Sequence, residues 1–286
     1  MAIEDREVDV ARRPARWPVV AVALCFALTG FCVGRLAPPG TGYRESASPD
    51  ARQISVIDPQ AHSAPTASGL PDLPAGGPPG PVPGSGRSFA YLEMQQDGLG
   101  GSVPVTWSSC RPVQVVVNPL GAPEGFADRV AAELSVLAGY SGLDLVLEGT
   151  TDEPPSIDRA SYQPDRYGDR WAPALIAVTT PEQVSELAGE VVGVARSATS
   201  LDEASGVRVR VSGMVYLDVD TLVAADVDGS PMYAAVLRHE LGHLLGLAHV
   251  EDEHQLMNPA ITQSVYRNGD LEGLAALGAG PCVPGR

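Results

Sequence analysis

The sequence predicts an α+β fold organised on a β-sheet with parallel strands, from the order of its apolar segments. A β-branched run at residues 113–117 predicts a buried strand, and residues 125–140 carry apolar side chains at helical spacing, which predicts an amphipathic helix. Residues 143–147 and 174–178 predict two further strands. Strand, helix and strand in this order favour parallel pairing through a right-handed crossover.

The C-terminal part predicts one more long strand and two more helices. Residues 207–218 have the composition of a strand. Ser230 and Pro231 are residue types favoured at the N-cap and the first position of a helix, so they predict the start of a long apolar helix. Asp270 predicts the N-cap of a last helix.

An apolar segment near the N-terminus predicts a membrane anchor. Residues 18–36 approach the ~20 residues that a spanning helix needs, and arginines precede them. The arginine excess predicts that residues 1–17 are cytoplasmic and that the rest lies outside, as in a single-pass protein of the cell membrane. A cleaved signal peptide, which would give a secreted protein, is the alternative. Gly30 and Gly34 would let two spans pack closely, although we expect a monomer.

Composition divides the remainder into a stalk and a domain. Residues 37–87 are dense in Pro, Gly, Ser and Ala, which predicts a disordered stalk. Residues 88–286 are expected to form the folded domain, with residues 89–94 as a first strand or a pairing arm. The formal net charge of −16 argues against a nucleic-acid partner, which would require a basic surface.

The chemistry is concentrated in one motif at residues 238–259. His239 and His243 are four residues apart, so a helix places both imidazoles on one face, where they can bind a single zinc ion. Gly246 can end that helix, and His249 then arrives as a third ligand. Glu240 is placed to act on a water at the ion. Three protein ligands leave one position open, which is typical of a catalytic zinc site.

Two non-catalytic interpretations of the motif are open. These residues would also suit the polar face of a surface helix, and three histidines would also suit a zinc ion that only stabilises the fold. Closed structural sites usually use cysteines and a fourth protein ligand, which disfavours the second interpretation. His254 is an alternative third ligand, but the spacing from the glycine favours His249.

The motif resembles that of the metzincin zinc metallopeptidases, and its histidine ending resembles the matrixin type. Met257 stands where these enzymes carry the methionine turn beneath the zinc. The resemblance extends loosely from residue 105 to 283. It implies a twisted, mixed five-stranded sheet, two long helices, a C-terminal helix and a zinc cleft between subdomains. Residues 191–197 would be the antiparallel edge strand above that cleft.

The same resemblance implies how the cleft would bind a substrate. A free strand edge at residues 191–197 can pair with an extended peptide. A plain hairpin strand without a ligand role is the alternative. Residues 260–268 would form the wall beyond the scissile bond, and Tyr266 is a candidate lining residue, with ordinary packing as its alternative.

The cysteines separate into two pairs. Cys25 and Cys32 lie in the apolar segment, where a buried thiol is ordinary. Cys110 and Cys282 are alone in the exported part and are expected to form a disulfide. A zinc-ligand role for one of them is the rival hypothesis. Matrixin zymogens block their zinc with a propeptide cysteine, and residues 33–109 contain none.

The remaining metal ligands are few. Three of the five histidines belong to the motif, His62 lies in the stalk and His254 is isolated, so a second histidine-rich zinc site is not expected. The acidic residues at 218–228 would suit Ca²⁺, but a solvated acidic loop is the simpler interpretation.

The sequence therefore predicts a membrane-anchored, extracytoplasmic zinc endopeptidase acting on extended peptides. Zinc would polarise the scissile carbonyl and acidify a water, and Glu240 would serve as general base. A zinc-fold binding or adhesion module without turnover, and a zinc amidase acting on cell-wall material, are the alternatives.

Overall fold

A computed structural model describes residues 9–12, 88–97 and 99–284 of the chain. The strands are β1 (Asp9–Arg12), β2 (Ala90–Tyr91), β3 (Met94–Gln96), β4 (Ser102–Pro104), β5 (Thr106–Trp107), β6 (Val113–Asn118), β7 (Leu145–Thr150), β8 (Ala174–Thr179), β9 (Val191–Asp202), β10 (Val207–Asp218) and β11 (Leu247–Ala248). The helices are α1 (Phe126–Ser141), α2 (Pro164–Tyr167), α3 (Met232–Leu245) and α4 (Asn268–Gly278), with 3-10 turns at Ser185–Leu187 and Val219–Leu222.

The main sheet is mixed, as predicted. Its strand order is β1-β9-β10-β8-β6-β7, and β5 also pairs with β10. Strands β6, β7, β8 and β10 are parallel to one another, and β9 is antiparallel to β10. All five predicted strands are present in this sheet. It has seven strands, however, because β5 and β1 join it at places that the sequence did not indicate.

Apolar side chains cover both faces of the central strands. On one face, α1 and α3 pack over Val113, Val115 and Val117 of β6. On the other face a smaller cluster surrounds Tyr216 and Leu175. Parallel strands that are buried on both faces read as continuous apolar runs, which explains why β6 and β8 were evident in the sequence.

The helix starts differ from those predicted. The helix α3 begins at Met232, because Ser230 is held in a backbone bridge with Val227 and does not cap it. The helix α4 begins at Asn268, so Asp270 is its third residue, where its side chain completes a capping box with Arg267.

The predicted free edge of the sheet is paired. The strand β1 lies antiparallel to β9 over residues 191–195, so β9 is an inner strand there. The first predicted strand at 89–94 is instead two short strands, β2 and β3, which pair with β11 and β4. Backbone N–H and C=O groups at a strand edge favour such pairing.

The disulfide between Cys110 and Cys282 is present, with the two Cα atoms 5.0 Å apart. It joins the segment before β6 to the C-terminal tail. The Ser108 hydroxyl adds hydrogen bonds to both backbone groups of Val283 beside it. The tail is thereby tied to the start of the sheet.

The predicted anchor at residues 18–36, its Gly30 and Gly34, the stalk at residues 37–87 and His62 lie outside the described residues. Within the described part of the chain, no helix has the length and apolarity to cross a bilayer.

Candidate metal centre and catalytic cleft

Three histidines converge at the C-terminal end of α3. His239 and His243 project from adjacent turns of the helix, which ends at Leu245. Gly246 has φ 125°, a conformation that suits glycine, and the chain turns there to bring back His249. The three Nε2 atoms lie 3.0–3.1 Å from one another. Three nitrogens of a tetrahedral zinc site, each ~2.0–2.1 Å from the ion, would lie about 3.3 Å apart.

Hydrogen bonds to backbone carbonyls orient two of these rings. The Nδ1 atom of His239 is 2.7 Å from the Leu256 carbonyl oxygen, and that of His243 is 2.8 Å from the Leu247 carbonyl oxygen. A carbonyl only accepts, so each Nδ1 carries the proton and donates. Each Nε2 is then the unprotonated nitrogen that a metal requires. The residues present therefore fit a zinc ion.

Met257 lies against α3 next to the helical histidines. A Cβ atom placed on Gly242, between the two helical ligands, would be 2.6 Å from the Met257 Sδ atom. The methionine is buried in the main core. Glycine at position 242 thus lets the methionine turn approach α3 directly, so this turn supports the face that carries the ligands.

The buried carboxylate of Asp270 holds the methionine turn in place. It accepts hydrogen bonds from the backbone N–H groups of Leu256 at 2.8 Å, Met257 at 3.3 Å and Arg267 at 2.9 Å. Burial nevertheless raises the pKa of Asp270 to about 6, against the lowering effect of these donors. The Leu256 carbonyl that orients His239 belongs to the same turn.

A buried ion pair braces α3 from behind. Arg238 precedes the first ligand and donates to both oxygens of Glu133 on α1, at 2.7 and 2.8 Å. Its remaining terminal nitrogen donates to the Ser264 carbonyl oxygen at 2.5 Å. Arg238 therefore links α1, the metal helix and the segment after the methionine turn. Such a bidentate pair is geometrically specific.

Glu240 faces the sheet beside the histidines. It is fully buried between α3 and β9, where a Cβ atom on Gly193 would be 2.7 Å from its Oε1 atom. Glycine at 193 is therefore required for β9 to pass the carboxylate. Since Glu240 follows His239 directly on the helix, its carboxylate is held at the border between the ligands and residues 191–195.

Two further candidates have defined positions. His254 is exposed and pairs with Asp252, so it is not part of the histidine cluster. Tyr266 is buried, and its hydroxyl donates to the Arg238 carbonyl oxygen at 2.5 Å. Its ring meets Tyr140 edge to face. The structure thus places Tyr266 in the packing behind α3, and a pocket-lining role for it stays a prediction.

The histidine cluster is distinct from a surface cavity of about 520 Å³. That cavity is lined by residues including Trp107, Arg111, Trp171 and Glu203, and it contains none of the three histidines. Among the described residues, the three histidines are the one group of three or more His, Cys, Asp or Glu side chains close enough to share a metal ion. Calcium binding at 218–228 stays a prediction.

Sequence reasoning missed four contributors to this site. Gly193 had a signal, because an isolated glycine inside a strand often marks a close backbone approach. Arg238 and Glu133 had none, since their pairing joins residues far apart in sequence. The Leu256 carbonyl is a backbone group, so its role depends on how the chain folds and leaves no pattern of residue types.

Comparison with known proteins identifies the same region. A family model described as Matrixin matches residues 195–277. That span contains most of β9, all of β10 and α3, the three histidines and the methionine turn. A solved structure of archaemetzincin from Methanopyrus kandleri aligns with 17% identity and a TM-score of 0.35, over 59% of this chain and 96% of that one. No curated protein matches the chain.

The matrixin match and the histidine geometry agree on the residues that carry the site. Residues 195–277, which hold the three histidines, are therefore similar to the matrixin-type zinc metallopeptidases.

Proposed function

We propose that this protein is a zinc-dependent endopeptidase that hydrolyses peptide bonds in extended substrates. The observation that carries the proposal is the convergence of three Nε2 atoms within 3.1 Å, with two of the rings oriented by backbone carbonyls. A zinc ion held by His239, His243 and His249 supplies Lewis-acid polarisation of the scissile carbonyl and lowers the pKa of water.

The protein's own residues supply the proton transfers and the binding surface. The Glu240 carboxylate accepts a proton from the attacking water and delivers it to the leaving amine. With β1 displaced from this edge, residues 191–195 would offer backbone N–H and C=O groups beside Glu240, so an extended peptide bound there would present its carbonyl to the centre. Met257 takes no part in the chemistry and supports the ligands from below.

We further propose that the enzyme acts outside the cytoplasm and is held at the membrane by residues 18–36. Support for this comes from the sequence, in the apolar segment and the arginines before it. The disulfide between Cys110 and Cys282 also suits an oxidising compartment. Cell fractionation with protease accessibility of residues 88–286 would test this location.

Substitution of the general base tests the catalytic proposal. Glu240→Ala is expected to retain one zinc per chain and to lose at least ~10²-fold in hydrolysis of a peptide library, the lower end for general-base catalysis. Glu272→Ala, at an exposed glutamate of α4, is the control and should keep both properties. Wild-type rates in Glu240→Ala would disprove the general-base role.

The same assay separates the other function classes. A binding or adhesion module would bind zinc and cleave nothing in the library. A cell-wall amidase would release products from wall fragments and spare the peptides. Cleavage of the peptides by wild type, together with its loss in Glu240→Ala, would leave the endopeptidase as the remaining explanation.

A further inference from the structure

The N-terminal segment Asp9–Arg12 pairs with the strand beside the metal centre. In this register Asp9 lies opposite Ala195, Val10 opposite Val194 and Ala11 opposite Gly193, and a bulge then places Arg12 opposite Val191. The strand β9 is already paired with β10 on its other side. Residues 191–195 therefore have a strand on both sides.

This pairing covers the stretch of β9 closest to the catalytic carboxylate. Ala11 is opposite Gly193, the residue whose added Cβ would come within 2.7 Å of Glu240. The strand β1 also lies close to α3. A peptide substrate that paired with residues 191–195 would need the same backbone groups that β1 engages. Substrate and β1 therefore cannot occupy this edge together.

We propose that Asp9–Arg12 acts as an intramolecular competitor that covers the peptide-binding edge and keeps the cleft closed to substrates. This inference rests on the proposed peptidase function for its inhibitory consequence. The blocking uses backbone pairing, and residues 1–24 contain no cysteine, so no thiol is involved. The antiparallel direction lets β1 follow the strand edge as an added peptide strand would.

The pairing of Asp9–Arg12 with β9 is weak enough to be reversible. Four paired residues provide only a few backbone hydrogen bonds, and each contributes little net free energy because the same groups bond to water when unpaired. Attachment to the same chain compensates, because a tethered segment acts at an effective concentration that can reach the mM range for short linkers and falls with length. The connection at residues 13–87, at ~3.3 Å per extended residue, is long enough to allow both pairing and withdrawal.

Whether β1 can pair with β9 also depends on the predicted membrane anchor. A single crossing at residues 18–36 would place residues 1–17 on the opposite side of the bilayer from the domain. In that state β1 cannot reach β9, so the edge is open. Without the crossing, both parts share one aqueous phase and the edge is covered.

Hydrogen exchange on the full chain in detergent micelles tests the pairing, because micelles do not separate two aqueous compartments. In an antiparallel pair only alternate residues of β1 donate an N–H group to β9. Proline has no N–H, so the double variant Val10→Pro/Ala11→Pro removes one of these donors in either pattern. We expect amide exchange at residues 191–195 to accelerate at least tenfold, with no change in β6. The control Ile3→Pro/Glu4→Pro should exchange as wild type does. Equal exchange in wild type and the double variant overturns the proposal, whether or not the protein is a peptidase.

Peptide hydrolysis by the zinc-loaded full chain tests the inhibition. We expect Val10→Pro/Ala11→Pro to raise kcat/KM at least tenfold through a lower KM, as removal of a competitor would, while the control pair leaves it unchanged. A synthetic peptide of residues 1–17 should inhibit the double variant competitively. Equal kcat/KM in wild type and the double variant overturns the inhibitory role. Failure of every variant to hydrolyse would count against the proposed function, and hydrogen exchange would still decide the pairing.

Discussion

The two sides of the candidate metal site are built in different ways. The metal side comprises α3, the turn to His249 and Met257, and two of its three histidine rings are oriented by backbone carbonyls. The strand side comprises residues 191–195 of β9, which offer mainly backbone groups and are paired with β1. Side-chain identity therefore determines the metal side, whereas strand pairing determines the strand side.

This difference means that the two sides respond to different perturbations. On the metal side, single substitutions remove a ligand, a charge partner or a carbonyl support. On the strand side, a substitution acts mainly through backbone hydrogen bonding or through the space at Gly193. The following predictions use this contrast, in order of decreasing effect.

Loss of a ligand is expected to have the largest effect. His249→Ala should leave only two imidazoles, abolish stoichiometric zinc binding and reduce hydrolysis to the level of metal-stripped protein. His254→Ala is the matched control, since that histidine is exposed and outside the cluster. Zinc content by atomic absorption and peptide hydrolysis measure both variants. Full zinc content in His249→Ala would show that the third ligand is another residue.

Removal of the buried charge partner behind α3 should have the next largest effect. Glu133→Gln leaves the Arg238 charge buried without its carboxylate, which is expected to lower the free energy of unfolding by about 3–5 kcal/mol. Glu148→Gln breaks a partly exposed pair with Arg170 and should cost about 0–1 kcal/mol. Urea unfolding measures the two. Similar costs would mean that this pair contributes no more than a surface pair.

The buried Asp270 is expected to make stability depend on pH. Its pKa of about 6 in the folded protein exceeds the ordinary value of 3.8, so the folded state binds the proton more tightly. The resulting stabilisation is complete below pH 3.8 and is lost as the pH rises through about 6. Two pKa units correspond to roughly 3 kcal/mol.

Asp270→Asn supplies the comparison for this pH dependence. Unfolding of both metal-free proteins is measured between pH 4 and 7.5, so that loss of an ion does not contribute. Wild-type stability should fall relative to the variant as the pH rises through this range. A stability difference independent of pH would show that Asp270 has the same pKa in the folded and unfolded states.

The contact between the two sides should give the smallest change. Gly193→Ala places a methyl group against Glu240 and should lower kcat by about 10–100-fold with full zinc content, because small misplacements of a catalytic group are costly. Gly139→Ala in α1 is the control, since nothing lies within 4 Å of its added Cβ, and activity should be unchanged. An unaltered kcat in Gly193→Ala would show that the added methyl group does not displace Glu240.

Prediction from sequence succeeded where a local pattern determines structure. The spacing of His239, His243 and His249 required only a helix and a glycine turn, and these formed. The apolar runs of β6 and β8 were evident because both faces of these strands are buried. Helix starts at Ser230 and Asp270 were misplaced by one to three residues, because a backbone bridge and a capping box replaced simple N-caps.

Prediction failed where distant segments meet. The occupation of β9 by Asp9–Arg12 joins residues about 180 positions apart, and nothing in either segment indicates the other. The pairing of Arg238 with Glu133 spans 105 residues. Strand edges pair through backbone groups common to all residues, so the sequence carries little information about which partner they choose.

The sequence by itself determined the candidate metal ligands of this protein, because helical periodicity converts a spacing of four residues into two histidines on one face. Only the tertiary structure decided how that chemistry is supported and covered. The methionine turn, the Arg238 brace and the strand over residues 191–195 depend on contacts between segments that are remote in the chain, and such contacts follow from packing.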